Sequence, residues 1–180
     1  MKLPTRVKHP NGNIYDINTS HKVAFKCFEL IDSDVSDEER AYGVVRLLFG
    51  IESPVDKYML DKAVVFLQGG EKPNEQDNSN EDLIDLVKDR RYIEMSVESQ
   101  FPHAKPIEED IHFWKYIMYI ETLKGTVMND IIEIRSIDLN DYEGKDRKKM
   151  RELKNQWSLG DKGKEISLRD LYEQIERGEV

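Results

Sequence analysis

Five side chains that could ligate a metal ion lie within ten residues of this sequence: His103, Glu108, Glu109, Asp110 and His112. Their spacing does not favour a metal site, because Pro106 separates His103 from the others and only Glu108 and His112 share a helical face. Acidic residues in a first helical turn also complement the helix dipole, which explains these carboxylates without a ligand. The sequence therefore predicts no metal site here.

Catalytic and cofactor motifs are also missing from the sequence. Gly69-Gly70 lacks the preceding strand and the lysine–serine ending of a phosphate-binding loop. The four histidines are scattered, and no serine or cysteine lies in a nucleophile motif. Cys27 is the only cysteine, so no intrachain disulfide can form, and its apolar neighbours are typical of a buried thiol. We expect a protein with no enzymatic activity and no cofactor.

The basic run 145–154 is the strongest charge signal, with six cationic and two acidic side chains in ten residues. Lys148, Lys149, Arg151 and the following Trp157 could bind nucleic acid through phosphate contacts and stacking, or they could bind a protein partner. The run also suits a solvated helix whose cations lie toward its C-terminal end. The net charge of −9 disfavours nucleic acid and an anionic membrane as partners.

Aromatic residues are concentrated in segment 107–123. Its apolar side chains recur at the spacing of an amphipathic helix: Ile107, Ile111, Trp114, Ile117, Met118 and Leu123. Phe113, Trp114, Tyr116 and Tyr119 extend further around that helix than one core contact requires. Packing in the core, with Trp114 largely buried, explains them; a partly exposed patch that binds a partner or a second copy is the alternative.

Turn and capping signals divide the chain into a small hairpin and about seven helices. Asn11-Gly12, between segments 6–9 and 13–17, supplies the positive φ angles of a tight hairpin turn. Helices are predicted from a Thr19 cap to residue 31, from a Ser36–Glu39 capping box to residue 50, and from Ser53-Pro54 to residue 69. Further helices are predicted over 81–100, 107–123, 126–135 (where a strand is the alternative) and 141–157.

These signals predict a mainly α fold: a single helical domain over residues 1–160, which includes the hairpin, and a C-terminal helical appendage over 161–180. A capping signal at Ser167 opens the helix of that appendage. Residues 71–80 have no apolar side chain and predict a mobile loop. No apolar run approaches the roughly 20 residues of a membrane helix, and the N-terminus lacks a signal-peptide core. We expect a cytoplasmic protein.

Seven short segments follow one another in a characteristic order: Tyr15-Asp-Ile17, Ser36-Asp-Glu-Glu39, Leu47-Leu-Phe-Gly50, Phe66-Leu-Gln-Gly-Gly70, Lys88-Asp-Arg-Arg-Tyr-Ile93, Ile111-His-Phe-Trp-Lys115 and a basic helix near 145–154. An Ile-Arg-Ser that ends at Ser136 precedes the basic helix. In this order the chain resembles the bacteriophage gp-fifteen protein family over roughly residues 13–159. The His-Phe-Trp-Lys and Ile-Arg-Ser elements are its most specific parts. The family usually has Gln-Asp before Tyr92, so Asp89-Arg90-Arg91 departs from it, and the tail after Gly160 has no counterpart.

Genes of this family lie between the major tail protein gene and the tape-measure gene in long-tailed phages of Gram-positive hosts. The resemblance implies a tail assembly chaperone in the host cytoplasm, which coats the tape-measure protein before the tail tube polymerises and then leaves. The major tail protein, an upstream tail chaperone and further copies of the chain are other candidate partners.

The family supplies no catalytic or ligand residues, so the candidate partner-binding residues come from the sequence patterns: Phe113, Trp114, Tyr116, Lys148, Lys149, Arg151 and Trp157. Two other functions stay open. One is a structural tail or head–tail connector component of the virion, and the other is a nucleic-acid-binding regulator that uses the basic helix 145–154.

Overall fold

The computed structural model describes residues 3–70, 83–160 and 177, and these ranges confirm a mainly α fold with an N-terminal hairpin. The strands are β1 (Arg6–Lys8) and β2 (Ile14–Asp16). The helices are α1 (His21–Ile31), α2 (Asp37–Phe49), α3 (Lys57–Leu67), α4 (Arg90–Gln100), α5 (Phe113–Glu121), α6 (Val127–Ser136) and α7 (Gly144–Gln156). The predicted loop 71–80 and the C-terminal appendage 161–180, apart from residue 177, lie outside the described residues.

The hairpin is antiparallel, with Val7 opposite Tyr15, and it packs against the start of α3. The Tyr58 hydroxyl donates a hydrogen bond to the Lys8 carbonyl at 2.9 Å. Gly12 has a φ of 93°, a left-handed conformation that favours glycine. The prediction of a positive φ at Asn11 is wrong, because that side chain instead accepts a hydrogen bond from the backbone N–H of Asn13 at 2.9 Å.

Two clusters of buried side chains form the core, and α1 contributes to both. The first joins α1, α2, α3 and the hairpin around residues such as Cys27, Val44, Leu48, Met59 and Phe66. The second joins α1, α4, α5 and α6 around Phe25, Ile93, Val97, Tyr116, Met128 and Ile131. Because α1 has buried residues on two sides, it separates the hairpin end of the molecule from the α4–α6 end.

The predicted capping box at the start of α2 is confirmed. The Ser36 hydroxyl accepts a hydrogen bond from the Glu39 N–H at 3.2 Å, and the Glu39 carboxylate accepts from the Ser36 N–H at 3.1 Å. The helix predicted over 126–135 is also confirmed, and the Asn129 side chain caps it by accepting from the Thr126 N–H at 3.1 Å. Both caps satisfy N–H groups that have no partner within their helix.

The helices α1, α3, α4 and α7 start later than predicted, because the residues before them form other hydrogen-bonded structure. Ser20 rather than Thr19 caps α1, since the Thr19 carbonyl accepts from the Phe113 N–H at 2.7 Å. Asp56 caps α3, so Val55 precedes that helix and is 38% exposed. Asp85 accepts from the Val87 and Lys88 N–H groups, and this turn delays α4 to Arg90. A short 3-10 helix, Leu139–Asp141, precedes α7, which begins at Gly144.

Hydrogen bonds to a distant part of the chain determine where α5 starts. The backbone of Ile111 pairs with His21, since its carbonyl accepts from the His21 N–H at 2.8 Å and its N–H donates to His21 Nδ1 at 3.1 Å. Those bonds hold the segment before Phe113 in a β-bridge with the start of α1. The predicted helix over 107–112 is therefore wrong, and Ile107 and Met118 are about half exposed rather than on a buried face.

Candidate partner-binding surfaces

Phe113 and Tyr116 lie in the core, not on a surface. Both side chains have no exposed area. The Phe113 ring packs against Phe28 and Phe66 in the first cluster, with centroids 5.9 and 6.0 Å away. The Tyr116 ring packs in the second cluster, 5.7 Å from the Phe25 ring. These two aromatic residues link the halves of the core, and a partner cannot reach them in this conformation.

Trp114, which was predicted to be largely buried, is partly buried against the first cluster. Its indole ring stacks on Phe66 with centroids 5.9 Å apart, and its Nε1–H donates to the Phe66 carbonyl at 2.8 Å. The far edge of the ring lies over Gly70, where an added Cβ would approach Cη2 to 2.6 Å. Trp114 therefore holds the end of α3 in place.

The five side chains first considered as metal ligands make other contacts or lie apart. His112 donates from Nε2 to the Pro4 carbonyl at 2.9 Å, and the His103 ring nitrogen lies 3.2 Å from the Tyr119 hydroxyl. Asp110 accepts from the Ser20 hydroxyl at 3.0 Å. In the ranges 3–70 and 83–160, no three histidine, cysteine or acidic side chains are arranged to hold a metal ion.

Lys148, Lys149 and Arg151 are exposed on α7, a helix with no buried residue. Helical geometry places Lys148 opposite the partly buried Met150, with Lys149 and Arg151 on the two flanks. Lys148 lies 4.0 Å from Glu152, a distance at the limit of an ion pair. Lys149 and Arg151 have no ion pair with any described residue. The outer side of α7 is therefore a cationic surface on an acidic chain.

Trp157 attaches the end of α7 to the second cluster. Its ring meets Tyr92 edge-on, with centroids 5.5 Å apart, so it is not free to stack on a base. Its carbonyl accepts a hydrogen bond from Arg135 Nε at 2.7 Å. This contact explains why α7 keeps a defined position although it buries none of its own residues.

Arg135 and Asp89 form a buried ion pair that sequence reasoning missed. Their side chains are joined by two hydrogen bonds of 2.6 and 2.8 Å, and both are nearly inaccessible to solvent. Arg135 also donates to the Leu83 carbonyl at 2.8 Å. The pair thus joins α6, the start of α4 and the end of α7. Arg135 belongs to the Ile-Arg-Ser element and Asp89 to the Lys-Asp-Arg-Arg-Tyr-Ile element, but nothing in the sequence indicated that the two side chains pair.

A second group of exposed residues, which sequence analysis did not identify, lies on α2 and in the turn that follows it. Arg46 lies over the Tyr42 ring at 4.8 Å and donates hydrogen bonds to the carbonyls of Ile51 and Ser53. Tyr42 is 52% exposed, Ile51 79% and Val55 38%. We call these three apolar residues, with Arg46, the α2 patch. Tyr42 lies off the buried stripe of α2, which was a readable signal for exposure.

Burial perturbs two groups that could otherwise do chemistry. Desolvation lowers the pKa of His21, which is fully buried and accepts a hydrogen bond at Nδ1 while it donates from Nε2 to the Pro106 carbonyl. Burial raises the pKa of the Cys27 thiol to about 12, so the thiolate is not available near neutral pH. Neither group meets the requirements of a nucleophile or a general acid.

Motifs that carried the family resemblance contact one another. Trp114 of the His-Phe-Trp-Lys element packs on Phe66 and over Gly70 of the Phe-Leu-Gln-Gly-Gly element. Arg135 of the Ile-Arg-Ser element binds Asp89 of the Lys-Asp-Arg-Arg-Tyr-Ile element. These elements therefore determine the fold rather than form a ligand site.

Comparison with known proteins supports the family independently. The family model described as Bacteriophage Gp15 protein matches residues 2–159. Comparison with the curated proteins and with the solved structures found no match. No helix in the described ranges is long and apolar enough to cross a bilayer. Because the family model covers most of the sequence, this chain belongs to the bacteriophage Gp15 protein family.

Proposed function

We propose that this protein is a non-catalytic tail assembly chaperone that binds the tape-measure protein in the host cytoplasm. Membership of the Gp15 family supports a role in phage morphogenesis. The structural observation that carries the proposal is the α2 patch. Tyr42 on α2 and Ile51 and Val55 in the turn after it are exposed apolar side chains, and a group of such side chains is typical of a protein-binding surface. An apolar face of this kind accepts an amphipathic helix of a partner.

The geometry of the α2 patch favours a preformed surface. Arg46 binds the two carbonyls of the α2–α3 turn, so the turn that carries Ile51 is attached to α2. The guanidinium also covers one side of the Tyr42 ring. A partner helix would therefore bury Ile51 without ordering a loop, and binding would not incur that entropic cost.

The first test is co-expression with fragments of the tape-measure protein, followed by size-exclusion chromatography at two salt concentrations. A complex formed by apolar contact should persist at the higher salt, whereas phosphate-driven nucleic-acid binding falls steeply with salt. Ile51→Asp should weaken the complex about tenfold to a hundredfold, since a buried isoleucine contributes about 1.5–3 kcal/mol. Val127→Asp is the matched control, because Val127 is 48% exposed at the start of α6.

Other outcomes would support other functions. Equal loss of binding in Ile51→Asp and Val127→Asp would remove the α2 patch from the proposal. A complex with DNA or RNA, and never with tape-measure fragments, would refute the chaperone role. Mass spectrometry of purified mature particles separates a chaperone, which leaves, from a structural tail or connector component, which stays.

A further inference from the structure

The outer side of α7 has more cations than acids, with Glu152 beside Lys148 as its nearest acidic side chain. Its exposed Lys149 and Arg151 have no ion pair in the described part of the chain, although the net charge is −9. The helix is held in place from its inner side, where Lys154 donates to the Ile137 carbonyl at 2.9 Å and Arg135 binds the Trp157 carbonyl. The helix that carries these cations therefore has a fixed position on the fold.

The corner between α1 and α2 carries the opposite charge. Glu29 at the end of α1, Asp34 in the turn and Glu38 in the first turn of α2 are all exposed, and none of them has an ion pair with a described residue. Buried Arg40 fixes this turn by donating to the Ser33 and Val35 carbonyls at 2.9 and 3.0 Å. Acidic side chains at the start of a helix suit its dipole, but that effect does not explain Glu29 and Asp34.

The two charged surfaces belong to different parts of the fold. α7 packs against α6 and the 3-10 helix, whereas α2 packs against α1 and α3 in the first cluster. We propose that α7 of one copy docks against the acidic α1–α2 corner of a second copy. Each copy carries both surfaces, so the contact is made either reciprocally within a two-fold pair or head to tail along a series of copies. Trp157 is packed on Tyr92, which favours this occupant over a nucleic acid.

The test measures the mass of the purified full-length chain by light scattering at about 0.1 M and about 1 M salt, where the Debye length falls from about 10 Å to about 3 Å. Oligomers are expected at the lower salt and monomers at the higher. Lys148→Glu/Lys149→Glu and Glu29→Lys/Asp34→Lys should each be monomeric at both. An equimolar mixture of these two variants should associate again, because each supplies the surface that the other has lost.

Lys115→Glu/Lys124→Glu is the matched control, since it changes the net charge by the same amount at exposed lysines of α5 and the following turn. This control should associate as the unmodified chain does. Monomers at low salt, equal loss of association in the control, or no recovery in the mixture would each overturn the proposal. Disappearance of the oligomers after nuclease treatment would also overturn it. Self-association of this kind is measured without the tape-measure protein, so its failure leaves the α2-patch test unaffected.

Discussion

Substitution of Gly70 by alanine tests the contact between the end of α3 and Trp114. Gly70 has a φ of 98°, and an added Cβ would lie 2.6 Å from Cη2 and 3.0 Å from Cζ2 of Trp114. The indole cannot move away easily, because it stacks on Phe66 and donates to the Phe66 carbonyl. We expect about 1–2 kcal/mol from the left-handed backbone and about 1–3 kcal/mol more from the overlap. The free energy of unfolding should therefore fall by about 2–5 kcal/mol in urea titrations.

Gly69→Ala is the matched control for this prediction. Gly69 has a φ of 75°, but its Cβ would have no atom within 4 Å. It should lose only the backbone contribution, about 1–2 kcal/mol. In a Trp114→Leu background, the extra cost at Gly70 should shrink while the cost at Gly69 stays the same. Equal losses for the two glycines in the unmodified background would refute the contact.

Three further predictions concern buried polar groups. The Tyr116 hydroxyl is buried with no hydrogen-bond partner in the described residues, so Tyr116→Phe should leave the free energy of unfolding unchanged or raise it. A fall of more than about 1 kcal/mol in that free energy would show that the hydroxyl does make a hydrogen bond. Arg135→Met or Asp89→Asn should each cost about 3–5 kcal/mol in urea titrations, because one buried charge is left unpaired, and the double variant should cost less than the sum. The lowered pKa of His21 means that the unfolded chain binds more protons just below pH 6.5. The contribution of neutral His21 to stability should be complete above pH 6.5 and should decline as the pH falls toward the lower pKa of the folded state. The urea concentration at the unfolding midpoint should therefore be lower at pH 5 than at pH 7.5. His21→Gln should reduce this difference between the two midpoints.

Helical periodicity predicted the existence of the seven described helices better than their first residues. The period of a buried face depends on local geometry, so it can be read from a sequence. The start of a helix depends on which groups accept or donate at its end, and here many of those groups are distant. His21 Nδ1 binds the Ile111 N–H across 90 residues, and no pattern within segment 107–112 could indicate that bond.

The exposure of the candidate binding residues could be predicted from the sequence for the charged side chains. Lys148, Lys149 and Arg151 are exposed as expected, because unpaired charged side chains are rarely buried. Aromatic residues carry no such signal. Phe113 and Tyr116 were candidates for partner binding, yet α5 lies where the two core clusters meet and both rings are covered. The α2 patch was missed partly because α3 was placed too early, which assigned Val55 to an inner face.

The contacts between family motifs separate residues that maintain the fold from residues that can bind a partner. The pairs Trp114–Phe66 and Arg135–Asp89 join elements distant in sequence, so their loss should lower stability before it affects any specific contact. Ile51 and Lys149 are exposed and make no comparable core contact, so substitutions there should change binding at nearly constant stability. If substitutions in the α2 patch or on α7 reduced binding only in proportion to stability, the assignment of partner contacts to these surfaces would be wrong.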